Sequence, residues 1–355
     1  MVADAASENR TVELDLDLLG GFRFECRPDC GLCCFTSPRL EGDDEARLRR
    51  TMPTLRPVGR EGARCIAARP HGGACELLDR LRCSVHPVRP APCREFPVFV
   101  HVGTRLQADL VLSCPGLSLD ALRGSGPGRG ELAFVGLTPE VAAVRERLAS
   151  TSGRRLADAT RRRKRVVREL SDQGRWSEEE EVRERLARRS LVPTANEYAP
   201  SELPEVGGGL EQLPMFFDGR RGPMALAQVG EAWESVELSP EGGSESSGVA
   251  VPPALPPILD AAAEELLRGY LRHFLARDIF LAGVHWEMTR GEPGTVDEVA
   301  LAELHAIGSD VLARGAVRAQ LRGESGARLT ALDIELGIRA TDQDWLDRPT
   351  WGGRF

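Results

Sequence analysis

The sequence predicts an α+β protein: a small, irregular, metal-stabilised cysteine-rich domain with short strands, followed by a mainly helical C-terminal region. Three observations carry this expectation. All nine cysteines of the 355-residue chain lie before residue 115. Proline and glycine punctuate the cysteine region so often that only short elements and turns fit between them. From Pro257 onward, apolar residues recur at three-to-four spacing, the period of a helix with one buried face. The length suits two or three domains. Breaks in composition divide the chain at residues 1–122 (cysteine cluster), 138–192 (helical), 193–256 (irregular and linker-rich) and 257–355 (helical).

Composition narrows the class. A charged content of 28% beside 41% hydrophobic residues fits a soluble globular protein. The formal net charge of −8 disfavours nucleic acid and anionic membrane as partners. The opening MVADAASENRTVELDLD has neither the basic nor the apolar part of a secretory signal, and no apolar run approaches bilayer length. A cytoplasmic location is therefore expected. In that reducing compartment, clustered cysteines point to metal or catalysis more than to disulfides.

Taken in order, residues 11–18 (TVELDLDL) alternate apolar and polar and predict a half-buried strand. Gly20-Gly21 breaks it, and Phe22 and Phe24 resume the alternation into Cys26. Pro28 and Gly31 supply turns inside the dense stretch Cys26–Cys34. Glu41–Met52 predicts a helix ended by Pro53, and residues 53–74 a loop. A hairpin or short helical stretch is expected between Cys75 and Cys83. Pro87, Pro90, Pro92 and Pro97 exclude a regular helix or central strand and predict a stiff, extended path. Strands are expected at Val98–Val102 and Leu106–Leu112, and a linker at 124–130 (GSGPGRG).

Thr138-Pro139-Glu140 opens a helix through Leu148, with cap hydroxyl, proline and an acid set against the helix dipole. Leu156–Leu170 and Glu178–Leu191 predict a helical pair whose basic block at 161–165 and acidic block at 178–181 suit ion pairing. Met215–Arg220 and Met224–Gln228 suggest a hairpin with an Asp-Gly turn, and residues 239–257 a linker. The tail predicts a helix from Pro257 to Arg277, a second from the capping box at Thr295–Glu298 through Arg314, and a last one at Thr330–Leu336.

The chemistry sits in the cysteines. Cys26, Cys30, Cys33 and Cys34 form a dense group, and Cys75, Cys83, Cys93 and Cys114 a looser one. Thiolates are the preferred ligands of zinc and of iron–sulfur clusters, so these eight residues are the candidate metal ligands, with zinc or an iron–sulfur cluster as cofactor. Two groups allow two tetrahedral sites, one shared site, or a cluster plus a structural ion. Adjacent Cys33-Cys34 complicate a single mononuclear site, because neighbouring side chains diverge: they more easily serve two metals, or one binds and the other packs. Cys65 has no assigned role, His86 offers either a nitrogen ligand or, preferred, a hydrogen-bonding group near the site, and His71 is a weaker ligand candidate. The spacing Cys26-x3-Cys30-x2-Cys33 coincides with the cluster loop of radical S-adenosylmethionine enzymes, but the strand–helix repeats those enzymes need do not follow.

CGLCC at residues 30–34, followed by CELLDRLRCSVHPVRPAPCREFP at 75–97, resembles the YkgJ-like cysteine-cluster family of zinc- or iron-chelating domains. Cys30, Gly31, Cys33, Cys34, Cys75, Cys83, Arg89, Pro90, Cys93, Arg94, Phe96 and Pro97 carry the match, and Cys114-Pro115-Gly116 resembles the late cysteine of longer members. Cys26 stands one residue further from Cys30 than that pattern has it, and His86 takes a tyrosine position. The resemblance covers residues 22–117 and implies a metal-chelating role, with Arg89 and Arg94 offsetting thiolate charge. A weaker resemblance, through LRGYLRHFLARDIF at 267–280, is to flagellin lysine-N-methylases; it implies a protein-lysine methyltransferase using S-adenosylmethionine. A third expectation is a structural metal domain whose helical C-terminal region binds a protein partner. No catalytic or organic-cofactor residue can be named from the sequence.

Overall fold

A computed structural model describes residues 14–27, 29–60, 62–103, 105–124, 138–150, 154–205, 213–219, 221–346 and 353–354. The start of the first expected strand, Pro28, Arg220 and nearly all of the 124–130 linker lie outside the described residues. The cysteine region contains β1 (Leu14–Asp15), β2 (Arg23–Phe24), α1 (Asp44–Thr51), β3 (Val58–Arg60), β4 (Ala63–Cys65), β5 (Leu78–Asp79), β6 (Arg82–Cys83), α2 (Ala91–Glu95), β7 (Val98–Val102), β8 (Leu106–Leu110) and β9 (Leu117–Ser118). Then come α3 (Thr138–Ser150), α4 (Arg154–Asp172), α5 (Glu179–Ala187), β10 (Met215–Asp218), β11 (Gly222–Val229), β12 (Ala232–Leu238) and β13 (Ser244–Ala250). The tail holds β14 (Ile258–Leu259), α6 (Ala261–Ala276), α7 (Asp278–Thr289), α8 (Val296–Leu321), β15 (Arg328–Leu329), α9 (Ala331–Leu346) and β16 (Gly353–Arg354). The class is α+β, as expected.

The first strand is shorter than its alternation predicts. Asp15 Oδ1 accepts the Asp17 N–H at 2.9 Å, and this local side-chain turn diverts the backbone into a one-turn 3-10 helix at Asp17–Leu19. Leu18 and Leu19 are both buried by that turn. β1 then runs parallel to β8, which pairs antiparallel with β7; β16 closes the far edge.

Both hairpin strands, β7 and β8, are largely buried. Val98, Val100, Ala108 and Leu110 share one apolar cluster with Leu266, Tyr270 and Phe274 of α6 and with Ile334 and Ile338 of α9. The core therefore runs from the cysteine region into the tail. A buried polar set is sealed inside it. Arg277 Nε lies 2.6 Å from Asp109 Oδ2, and Arg277 Nη1 lies 2.8 Å from Asp342 Oδ1. His273 Nε2 is 3.2 Å from Asp109 Oδ1, and His101 Nε2 is 3.3 Å from Asp109 Oδ2. Arg277 holds the fully buried Asp109 carboxyl well below its usual range despite the cost of burial.

A second sheet orders β10-β11-β12-β13, all antiparallel. Its first hairpin has the expected Asp218-Gly219 turn. Its last strand falls inside the expected linker at 239–257. The polar composition of Ser244–Ala250 suits an edge strand, and β12 supplies the backbone partners that composition does not reveal.

The tail is more helical than expected. The α6–α7 break comes at Arg277, which is extended (φ −70°, ψ 122°), and α7 is buried almost all round, so no stripe marks it in sequence. The capping box forms as predicted: Thr295 Oγ1 accepts the Glu298 N–H at 3.3 Å, and Glu298 Oε2 accepts the Thr295 N–H at 2.8 Å. α8 continues past Arg314 because its buried arginines find acids: Arg314 Nη1 lies 2.7 Å from Asp344 Oδ2, and Arg318 pairs with Asp218. Of the expected pairing between the basic and acidic blocks, Arg163 meets Glu179 at 3.3 Å.

Candidate metal centre

Backbone pairing assembles the cysteines from distant stretches. β2 pairs with β9 through Phe24 and Leu117, and the Glu25 N–H donates to Gly116 O at 2.9 Å. Cys26 and Cys114 thus leave the same two-stranded ladder. The next turn uses Gly31 at φ +63°, a left-handed conformation that glycine adopts without a Cβ clash. Leu81 presses on that glycine, since a Cβ there would stand 3.0 Å from Leu81 Cδ2. Cys33 and Cys34 follow on a one-turn 3-10 helix, Leu32–Cys34.

The second group is tied to the first by its backbone. The Cys75 N–H donates to Cys34 O at 2.6 Å. Between Cys75 and Cys83 the chain forms the β5–β6 hairpin, turning through Arg80 and Leu81 at φ +46° and +62°. The proline run differs from the extended path expected. Pro90 caps and Pro92 opens α2, a five-residue helix carrying Cys93. Proline is excluded from helix interiors but fits the first turn, whose N–H groups have no intrahelical acceptor.

Charge acts across the whole set. Cys33 influences Cys26, Cys30, Cys34, Cys83, Cys93 and Cys114. Cys75 and Cys83 act on Cys34 and Cys93, so all eight predicted ligands belong to one electrostatic neighbourhood. Burial pushes Cys30 and Cys75 up to about 11 and Cys114 up to about 12. Burial also raises Cys26, Cys83 and Cys93. Cys33 departs from this: a hydrogen bond shared with Cys34 lowers it and raises Cys34. Arg89 acts in the same lowering direction on Cys26, Cys33, Cys83 and Cys93.

Backbone amides bear on the sulfurs in one repeating form, two residues beyond the cysteine. The Leu32 N–H donates to Cys30 Sγ at 3.4 Å. At Cys75, Cys83 and Cys114 burial dominates, and the backbone amides of Leu77, Val85 and Gly116, each two residues beyond its cysteine, act in the opposite, lowering direction. An amide aimed at sulfur favours the thiolate. Among the described residues, no three cysteine, histidine, aspartate or glutamate side chains already meet at one point. The donor set nonetheless fits a soft metal by its chemistry: thiols from both cysteine groups, a backbone N–H on Cys30 Sγ, and an arginine whose charge favours the thiolate form.

The remaining candidates are placed as follows. His86 Nε2 is 2.9 Å from Arg89 Nη1, a hydrogen bond that commits this nitrogen to the arginine. Arg94 turns to Glu146 at 3.2 Å. Cys65 is buried in β4, opposite Val58 and bridged to Arg39. His71 is exposed in a turn at φ +55°. Two contributors were not visible in sequence. Arg339 of α9 donates to Cys114 O at 2.5 Å and to Leu117 O at 2.8 Å. Glu140 of α3 is buried beside Arg89, its Oε1 3.6 Å from Arg89 Nη2. Both lie far from any cysteine in the chain, and no local spacing announces them.

No helix among the described residues is long and apolar enough to cross a membrane. Neither the curated proteins nor the solved structures contain a match to this chain. Residues 25–113 match the CxxCxxCC family model, described as a "Putative zinc- or iron-chelating domain", and this is the cysteine-cluster family that the CGLCC and CREFP motifs resemble.

Proposed function

We propose that the chain is a metal-binding protein in which Cys26, Cys30, Cys33, Cys34, Cys75, Cys83, Cys93 and Cys114 supply thiolates to zinc or an iron–sulfur cluster. What supports this reading is the cysteine-rich motif that the family model matches over residues 25–113, together with the backbone ties that bring its two cysteine groups together: the Cys75 N–H on Cys34 O at 2.6 Å and the β2–β9 ladder that both Cys26 and Cys114 leave. The matched family supports a zinc or iron cofactor. When bound, such a metal supplies Lewis acidity or, as a cluster, a one-electron redox centre. The protein's own part is to hold the thiols in reach, satisfy their lone pairs with amides, and offset their charge through Arg89. A cytoplasmic location suits free thiols in this number.

Anaerobic purification with elemental analysis and a visible absorption spectrum tests the reading. Stoichiometric zinc or iron is expected. A colourless zinc protein excludes the iron–sulfur branch, and metal-free protein overturns the proposal. Cys33→Ser and Cys93→Ser should each lose metal, whereas Cys65→Ser should retain it.

Lysine methyl transfer draws no support from the tail. Tyr270 and Arg277 of the helix that suggested it are fully buried, with Asp342 and Asp109 as their partners. Calorimetric titration with S-adenosylmethionine is expected to show no binding.

A further inference from the structure

The loop that delivers Cys75, residues 69–74, is a run of turns in which His71 and Gly72 stand at φ +55° and +74°. With two adjacent glycines, Gly72 and Gly73, such a segment has many conformations to lose when it presents a ligand. It is held from outside, by the turn between β12 and β13. Pro240 O accepts the Ala74 N–H at 3.0 Å and Arg69 Nη1 at 3.2 Å. The Gly243 N–H donates to His71 O at 2.9 Å. Gly242, at φ +110°, lies so close that a Cβ on it would collide with Pro70 O. Gly73 faces it, and a Cβ there would stand 2.9 Å from Gly242 N. The two glycines let the turn and the loop meet backbone to backbone.

This docking belongs to one end of the sheet. The β11–β12 turn, at the other end, also uses a left-handed glycine, Gly230 at φ +59°, but a Cβ on it would meet nothing within 4 Å. A hairpin of this sheet therefore closes without such contacts, and hairpin geometry does not account for those at Pro240–Gly243. From the docked end the hold passes to the thiols. Ala74 immediately precedes Cys75, whose own N–H donates to Cys34 O at 2.6 Å. Arg69 Nη2 also donates to Leu78 O at 2.6 Å, so one guanidinium ties the turn to the chain on the far side of Cys75. The sheet face packs to the same end: Ala225, Ala227 and Val236 are buried with Ala74 and Leu78, and Cys34 packs against that cluster.

We propose that the β12–β13 turn is a clamp that positions Cys75 for metal, with Gly242 and Arg69 as its positioning residues. The second sheet, which lies outside the matched domain, thereby sets the affinity of the cysteine centre. A loop ordered before the ion arrives has less freedom to lose on binding it, and the affinity rises accordingly. The inference rests on the metal-binding reading above and adds to it an element from elsewhere in the chain.

The test is titration of the full-length protein, stripped of metal under reducing conditions, with zinc against a chromophoric chelator and with cobalt(II) followed by absorption. Gly242→Ala pushes the turn off Pro70 and should weaken zinc binding by roughly 10-fold or more, as when groups supporting a metal site are removed. Its cobalt form should show weaker thiolate-to-cobalt charge-transfer absorption than wild type, because Cys75 is drawn away from the ion. Gly230→Ala puts the same kind of backbone strain into the same sheet without touching the cysteine loop, and should keep the wild-type zinc affinity and cobalt spectrum. If Gly242→Ala does not fold, as judged by circular dichroism, Arg69→Ala serves instead. It removes the guanidinium from Pro240 O and Leu78 O, and the same two changes are expected. Wild-type affinity and spectrum in the folded variant overturn the inference and leave the cysteine site standing. An equal loss in Gly230→Ala also overturns it, since the effect would then be one of sheet stability alone. Wild-type protein that binds neither zinc nor cobalt overturns the metal-binding reading and this inference with it.

Discussion

His285 of α7 is fully buried and stacks on Trp176 with ring centroids 4.5 Å apart, and neither ring nitrogen has a hydrogen-bond partner. Burial, with Arg163 and Arg183 adding repulsion, drives its pKa down to about 3. The unfolded chain binds a proton near pH 6.5 that the folded chain refuses. Stability is therefore complete above that pH and falls as pH drops from about 6.5 towards about 3. Between pH 7 and pH 5, this one residue should cost about 2 kcal/mol, and His285→Phe should remove that part of the slope in guanidinium unfolding. Asp109 makes a second residue-scale prediction. Asp109→Asn leaves Arg277 buried with half its acid partners, and should destabilise the fold by about 3–5 kcal/mol in the same measurement at neutral pH. Legibility at this scale depended on whether a residue's role is local. The cysteine-cluster family was readable because thiol spacing is itself the signal. Glu140, Arg339 and His285 were not, because burial and contact at a distance decide what they do. Sequence position made Glu140 an ordinary first-turn acid.

Among the elements, the hairpin between Cys75 and Cys83 and the turn at Gly31 act as one unit, since Leu81 at the hairpin tip sits on the glycine. Gly31→Ala forces a side chain into a left-handed backbone and against Leu81. It should cost roughly 1–2 kcal/mol and lower metal affinity measured with a chelator, because Cys30 and Cys33 flank it. The α8–α9 contact rests on a different glycine: a Cβ on Gly337 would stand 2.2 Å from Val311 O. Gly337→Ala should therefore separate the two helices and lower the thermal midpoint by about 5 °C or more, read by circular dichroism. Elements with a local signal were read correctly, among them the Thr295 capping box, the Asp218-Gly219 hairpin and the β7–β8 pair. Those that draw their stability from neighbours were not. β13 is polar and looks like a linker until β12 lies beside it, and α7 carries no stripe because protein surrounds it.

For the whole molecule, the α+β class was legible in composition, but the shared core was not. Val98, Val100 and Leu110 of the cysteine region are buried together with the faces of α6 and α9. Removing the metal should therefore be felt beyond the cysteines. Chelation under reducing conditions is expected to lower the thermal midpoint of the helical signal by at least about 5 °C, with one transition in the loaded protein. A tail signal that ignores chelation would contradict that coupling. Arg339 gives the coupling a physical route. Its guanidinium reaches from α9 to three backbone carbonyls, Leu112 O, Cys114 O and Leu117 O, while Glu335 steadies it at 2.7 Å. The last helix consequently has a grip on one of the cysteine-bearing loops, and thermodynamic reciprocity makes that grip work in both directions. Under the proposed metal binding, anything that pulls on α9 would change the affinity for the ion by the same factor by which the ion resists the pull, so the C-terminal helix would be at once a brace for the centre and a gauge of its filling.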